Sequence, residues 1–573
     1  DQFKPYMHFG STCDKRFNGT LFRFPLRSAE AAKMSEIKSK PCTAAEVQGL
    51  LASFKEDAAN ALLFLKHVNR ITIHSMDDEG GTTEVFSAVH VLDNPETREQ
   101  QSRIPRFVCG DASNPMSKDD FYAKLQSTPE QDLPVSVYEK RIVVTDGGCQ
   151  EDSRWLISSA IGGGKARELA VKSINGPYQL RLVPWAGVAA RLSAPEQDLV
   201  GRAYCFLPLP TMVGLPVHVN GSFELSANRR DIWHGSDMTG EGQLRSEWNH
   251  ALLHDVVAPA YARLLERASS VVDSRHYFRL WPTKMGAEPW VTLVRGLYSV
   301  GLNRPILYTN LDGGRWIAPA EAILADSAVD NREELTRVML LEGLPIVDPP
   351  VDIREMILTA QRHELKAMTP ALARQLLREG DHHPALAERS NTLLLLRYCL
   401  SDLAGDRLLE LGGLPLIPTA DGNSGRFEKH EAKSYKAERG KGLLYTCGQL
   451  EYDLLLESQA GFLVDRSIPE DLYTILASTE LQESCNVRTL NPRTLARLFD
   501  MGTLPAAWKR NPEVEWTTTS ASEPSKEWVQ LFWEYAEQSA ADLECFEDWP
   551  LLPCDGGVLR RLIKESSVVD MGS

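Results

Sequence analysis

From Thr43 to Asn69 apolar residues fall at Val47, Leu50, Leu51, Phe54, Ala58, Leu62 and Leu65. Steps of three and four predict an amphipathic helix. The period then shortens to two. Val68 to His74, the turn DDEGG and Thr83 to Val91 read as a hairpin, and Val135 to Thr145, a turn at Asp146 to Gly148 and Trp155 to Ile161 repeat it. Arg202 to Leu209 and Leu215 to Leu225 add two strands, and Leu244 to Ala268 is an amphipathic helix. Residues 31–275 therefore read as an α+β, hairpin-rich domain. Ahead of them, Asn18 to Arg27 alternates apolar and polar residues after an Asn-Gly turn and predicts a strand. A lone terminal strand needs a sheet to join.

The second half changes character. Helical spacing dominates at Arg332–Leu341, Asp352–Glu364, Pro370–Glu379, Asn391–Leu411, Pro469–Ser478, Pro492–Met501 and Ser525–Ser539. Several of these begin at Asp, Ser, Asn or Pro, residues suited to helix starts. A short motif recurs between them: RPILYTNLDG at 304–313, LPLIPTADG at 414–422 and PLLPCDG at 550–556. Each is a proline, a short apolar strand and an Asp-Gly turn. Gly-Leu-Pro with an apolar pair also follows a helix at Gly343 and Gly413. The pattern predicts helical units with short hairpins over 276–425 and 426–573, although Asp-Gly is also simply a good hairpin turn.

Charge narrows the partners. The chain carries 62 basic and 78 acidic residues, a net of −16. That argues against nucleic acid and anionic membranes as general partners. The longest apolar runs, such as TLLLL at 392–396, are too short to span a bilayer. Ten scattered cysteines form no CxxC pair, so the expectation is reduced thiols in the cytoplasm rather than a zinc ribbon. The chain opens on DQFKPYMHFG, with neither an initiating Met nor a secretory signal. It reads as a piece of something longer.

The stretch most suggestive of chemistry is LPLPTMVGLPVHVNGSFELSANRRDIW at 207–233. Two apolar strands lead into a loop with Asn228, Arg229, Arg230 and Asp231. A guanidinium is a permanently charged planar fork that suits phosphate oxygens, and in phosphoryl transfer it stabilises charge on the γ-phosphate. Arg229 and Arg230 are the candidate catalytic residues and Asn228 the candidate cofactor contact. One arginine would face the ligand and the other pair with Asp231 or Glu224; alternatively both belong to a surface network beside Trp233. His250 and His254 lie four apart, a spacing that zinc ligands use, but the motif lacks a zinc protease's Glu and any obvious third ligand. They read as ordinary helix histidines, so no metal is expected. GGGK at 162–165 lacks the Ser or Thr and the glycine spacing of a P-loop and reads as a flexible loop. Asp312, Asp421 and Asp555 sit before glycines and read as turn residues.

Several stretches together resemble the sacsin family: NGTLFRFPLR at 18–27, ALLFLKHVNRITI at 61–73, the 207–233 stretch, RPILYTNLDGGRWIAPAEAIL at 304–324, LPLIPTADG at 414–422, PSKEWVQLFWEYA at 524–536 and WPLLPCDGG at 549–557. The resemblance implies an Hsp90-related chaperone whose ATP-binding domain precedes a middle domain. Residues 1–30 would close that upstream domain and 31–275 would be the Hsp90-like middle domain. FELSANRRDIW would be the catalytic loop that lends a basic residue to the γ-phosphate. ATP and magnesium would then bind in the upstream domain, whose motifs are absent here. The implied partners are client proteins and other chaperones. The alternative is a non-catalytic scaffold of interaction repeats.

Overall fold

The computed structural model describes residues 6–562 except 8–10, 13, 66, 78, 92–94, 112, 179, 194–198, 236–238, 361–364, 381, 404, 429–441, 518–522 and 539–542. The chain forms two compact units. One comprises Asp1–Ile306, Ala318–Ala320 and Pro349–His363; the other comprises Leu307–Ile317, Glu321–Asp348 and Glu364–Ser573. The fold is α+β, as the patterning predicts.

The first unit is built on an eight-stranded sheet. Its strands are β1 (Arg70–Met76), β2 (Thr82–Val91), β3 (Val135–Asp146), β4 (Cys149–Ile161), β5 (Trp185–Arg191), β6 (Arg202–Cys205), β7 (Leu207–Met212) and β8 (His218–Gly221). Their spatial order is β1-β2-β3-β4-β5-β8-β6-β7. The pairs β1–β2 and β3–β4 are the two predicted hairpins, and β6 and β8 run parallel. The stretch read as one strand from Arg202 is broken at Phe206, whose φ of 65° turns the chain so that β7 folds back on β6. The predicted strand from Leu215 to Leu225 shortens to four residues.

Helices cover both faces of the sheet. α1 (Ala44–Ala61) begins at a capping box in which Thr43 and Glu46 exchange hydrogen bonds. It lays Ala58, with Leu62 and Leu63 just beyond its end, on Phe86, Ala88, Ile142, Trp155, Ile157 and Ala189. Next come α2 (Pro95–Cys109), α3 (Lys118–Ser127) and α4 (Gly164–Ser173), none of which was read from the pattern. On the opposite face α5 (Glu241–Leu252), a π-helical turn Leu253–Val257 and α6 (Ala258–Ala268) form one rod. Because both faces are covered, the consecutive residues Val188, Ala189 and Ala190 of β5 are all fully buried. Such a strand loses the alternation that a half-exposed one shows. Tyr261 of α6, and Tyr277 and Tyr298 beyond it, donate their buried hydroxyls to the carbonyls of Leu280, Ile306 and Pro282. These bonds fix the path around α7 (Trp290–Gly301).

The predicted strand Asn18–Arg27 is not one. Residues 20–28 are irregular, and Phe22, Phe24 and Leu26 are 73%, 83% and 53% exposed. The alternation is real, but no ladder in the described residues satisfies its backbone.

The second unit is mainly helical, with five small sheets among its described residues in place of one large sheet. All three Asp-Gly motifs close hairpins: Leu307–Thr309 on Arg315–Ile317, Ile417–Pro418 on Ser424–Gly425, and Pro550–Cys554 on Val558–Arg561. Asp421 performs the expected turn role, its carboxylate accepting from Asn423 N and Thr419 Oγ1 at 3.1 and 2.6 Å. Two-stranded and three-stranded parallel ladders, such as Leu444–Thr446 on Val487–Thr489, link the helices. The region read as a helix from Asn391 to Leu411 is two elements, an α-helix Arg389–Leu400 and a 3₁₀ segment Gly405–Leu411.

Candidate anion-binding loop

β8 ends at Gly221, and the chain continues through Ser222 to Trp233 as a narrow loop closed by a single Leu225–Ile232 bridge. Its base is clamped to α5 by Asn249, a fully buried residue. Asn249 Oδ1 accepts from Glu224 N at 2.9 Å, while Nδ2 donates to the carbonyls of Glu224 and Trp233 at 2.7 and 2.8 Å. Trp248 donates its indole N–H to Ser222 O, and Trp233 donates its own to Gly242 O. In WNHALLHD the spacing points first to His250 and His254, with Asp255 adjacent. An amide and a tryptophan at the start of that motif are the residues that hold the loop. Polar Asn249 on the buried side of an amphipathic helix was the available signal.

The tip is organised by its own polar groups. Ser226 Oγ accepts from Asp231 N, Asn228 Oδ1 accepts from Arg230 N at 3.0 Å and from Ser226 Oγ at 2.8 Å, and Arg229 N donates to Ser226 O. Thr211 of β7 donates to Arg230 O and Asp231 Oδ1. Asn228 is thus committed to shaping the turn through its side-chain oxygen. Arg229 sits at φ 56°, the left-handed region that the Cβ of an L-residue disfavours. Holding a non-glycine residue there costs on the order of 1 kcal/mol.

Neither arginine pairs as expected. Asp231 accepts from Thr211 and from Ile232 N, and Glu224 lies 3.6 Å from Arg245. Burial raises the Glu224 carboxyl and Arg245 pulls it back. Asp231 is turned inward by the tip's own geometry, and Glu224 by α5. Among the described residues Arg229 and Arg230 form no ion pair and no side-chain hydrogen bond, and both are exposed. The loop therefore presents two exposed cations from a backbone that is held on both sides.

The other motifs resolve into structure. Gly162–Lys165 is a packing joint rather than a flexible loop, and α4 starts inside it. A Cβ on Gly162 would lie 2.2 Å from Val256, and one on Gly163 2.1 Å from Glu130. The position an anion would take at this helix start is filled by Asp255, whose Oδ2 accepts from Ala166 N at 3.0 Å. Lys165 is paired with Glu247. His250 bonds Thr292 and His254 bonds Asp255, at 3.1 and 2.7 Å. The π-helical turn beginning at Leu253 breaks the spacing that would align the two rings. Among the described residues no group of three potential ligands could hold a metal, and no helix is long and apolar enough to cross a membrane.

Comparison with known proteins agrees with the resemblance. The family model described as the Sacsin domain matches residues 1–87. Sacsin of Homo sapiens is 28% identical over 599 aligned positions, which cover 96% of this chain and 12% of that protein. No solved structure matches. At that coverage the shared stretch runs through both units. The chain is thus similar to sacsin along nearly its whole length and spans a small part of that protein's.

Proposed function

We propose that this chain is the part of a sacsin-like chaperone that completes an ATPase site from outside the nucleotide pocket. In this reading ATP and magnesium bind in an adjoining domain upstream. Arg229 or Arg230 reaches the γ-phosphate, and the nucleotide cycle drives folding or assembly of client proteins in the cytoplasm. One observation carries the reading: two exposed arginines without partners among the described residues stand on a loop whose backbone is over-determined by Asn249, Trp248 and Ser226. A scaffold would gain nothing from leaving such charges open while fixing their backbone. Pre-positioned donors that meet charge only in the transition state are what phosphoryl transfer requires. A residue held at a left-handed φ is consistent with a position kept for its side chain rather than its backbone.

The test separates this loop from its neighbours. In the parent protein with its upstream domain, Arg229→Ala and Arg230→Ala are compared for steady-state ATP turnover. Loss on the order of a thousandfold in one of them is expected for an arginine that stabilises the γ-phosphate. Unchanged turnover in both removes the role. The chain by itself is expected to show no micromolar ATP binding by calorimetry, and such binding would place the nucleotide site elsewhere.

A further inference from the structure

A second place in the first unit gathers uncommitted charge around apolar surface. α2 and α3 pack through Phe107 and Phe121, whose rings meet edge to face at 6.2 Å. Where the two helices approach the start of β3 they leave a cleft of about 400 Å³ lined by Arg103, Arg106, Phe107, Lys124, Asp132 and Leu133, among others. That volume is in the range of small-ligand sites. The polar groups differ in how far they are already engaged. Arg106 is taken up by Glu99 and Asp111 at 3.3 and 2.8 Å. Lys124 has no carboxylate partner among the described residues, and its ammonium lies 4.4 Å from the centroid of Phe107. Arg103 and Asp132 likewise have no ion-pair partner there.

We propose that this cleft binds a carboxylate carried on an apolar, N-acylated body, the chemistry of an N-acyl amino acid. Glu99 and Asp111 hold Arg106, which leaves Arg103 and Lys124 as the lining cations open to an anion and Asp132 as its open acceptor. Arg103 and Lys124 bind the carboxylate, with Arg103 supplying the directional fork. Phe107 and Leu133 receive the apolar side chain. Asp132 accepts the amide N–H, a donor that a simple fatty acid lacks. The same chemistry has two sources: a free N-acyl amino acid, or the last residue of a peptide ending in a bulky apolar side chain.

The experiment is calorimetry on the chain with four probes: N-acetylphenylalanine, N-acetylphenylalanine amide, an octapeptide ending in phenylalanine, and its C-terminal amide. Both acids are expected to bind saturably at one site and both amides at least tenfold more weakly. Tighter binding of the peptide acid identifies a chain terminus as the ligand; equal affinities identify a free small molecule. Arg103→Gln and Lys124→Gln are each expected to weaken the acids about tenfold, as the loss of a charge-assisted hydrogen bond does. Lys172→Gln on the exposed side of α4 is expected to leave them unchanged. Thermal midpoints report that each variant is folded. Amides that bind as well as acids, variants in the cleft that bind like the parent chain, or no saturable binding below about 10 mM would overturn the proposal.

Discussion

Arg229 and Arg230 in the first unit and Arg374 in the second are the same side chain put to opposite uses. Arg374 is 1% exposed, and every direction of its fork is answered. Nη1 reaches Asp402 Oδ1 at 2.5 Å and Cys399 O at 2.8 Å, and Nη2 reaches Glu410 Oε2 at 2.7 Å. It ties the helix Pro370–Glu379 to the end of the helix Arg389–Leu400 and to the 3₁₀ segment beyond it. In the loop the backbone is satisfied instead and the guanidinium groups are left open. A charge that holds a fold together is buried and paired, because an unpaired buried charge is far too costly. A charge kept for a ligand must stay in water, with its positioning supplied by neighbours.

The largest effect that tests this contrast is at Arg374. Arg374→Ala strands Asp402 and Glu410 beside a buried hole. It is expected to cost about 2–3 kcal/mol, less than a fully buried pair because Asp402 and Glu410 keep 30% and 45% of their side chains in water, read as a drop in the denaturation midpoint of the second unit. A loss below about 1 kcal/mol would mean that its network is ornamental.

Asn249→Ala comes next. It leaves the Glu224 amide without its partner and removes a donor from the carbonyls of Glu224, which still accepts from Trp233 N, and Trp233; it is expected to cost about 2 kcal/mol. Hydrogen exchange should quicken through residues 224–233 while the second unit is untouched. Protection that stays unchanged would show that the loop needs no clamp.

Acid separates the units by mechanism. His218, fully enclosed on the sheet, has its pKa pushed down from 6.5 to about 4 by burial, with Arg202 adding to the effect. The unfolded chain therefore binds the proton first. The stability that His218 contributes is complete above about pH 6.5 and is lost as the pH falls toward 4. Asp402 is held below 3.8 by its hydrogen bond from Arg374. Its contribution is complete above the ordinary carboxylate value and disappears only as the pH falls through that lowered one. Exchange protection in the first unit should thus weaken between pH 6.5 and 4, before the Arg374 network responds. Simultaneous loss would contradict the assignment.

The smallest stability effects belong to the arginine loop. Arg229→Ala and Arg230→Ala should each change stability by less than about 0.5 kcal/mol. Arg229→Gly should be neutral or stabilising by about 0.5 kcal/mol, since glycine accepts the left-handed φ without strain. A large loss in any of the three would move these arginines into the structural class of Arg374.

Much of this was legible beforehand. Hairpins, turns and amphipathic helices announce themselves because their signals are local: β1–β2, β3–β4, the rod from α5 to α6 and all three Asp-Gly hairpins follow from period and turn chemistry. The cationic loop was found from its residue types alone. The misses share a cause. α4 was hidden because its glycine-rich start looks like a loop until Val256 and Glu130 are packed against it. β5 was hidden because Val188, Ala189 and Ala190 are buried on both faces and do not alternate. The segment Asn18–Arg27 has a strand's pattern, but a pattern cannot supply the neighbouring ladder.

By itself, the sequence determined the hairpins and helices whose periodicity is strong and local, that the chain is acidic, and where two arginines stand together. Only the tertiary structure decided that Asp231 and Glu224 turn away from those arginines, that Asn249 braces their loop, and that Asp255 fills the anion position beside GGGK. Periodicity reports what a residue does to its own few neighbours. Whether a charge is paired or open depends on groups brought together from distant parts of the chain, and that is settled only when the sheet and its covering helices have closed.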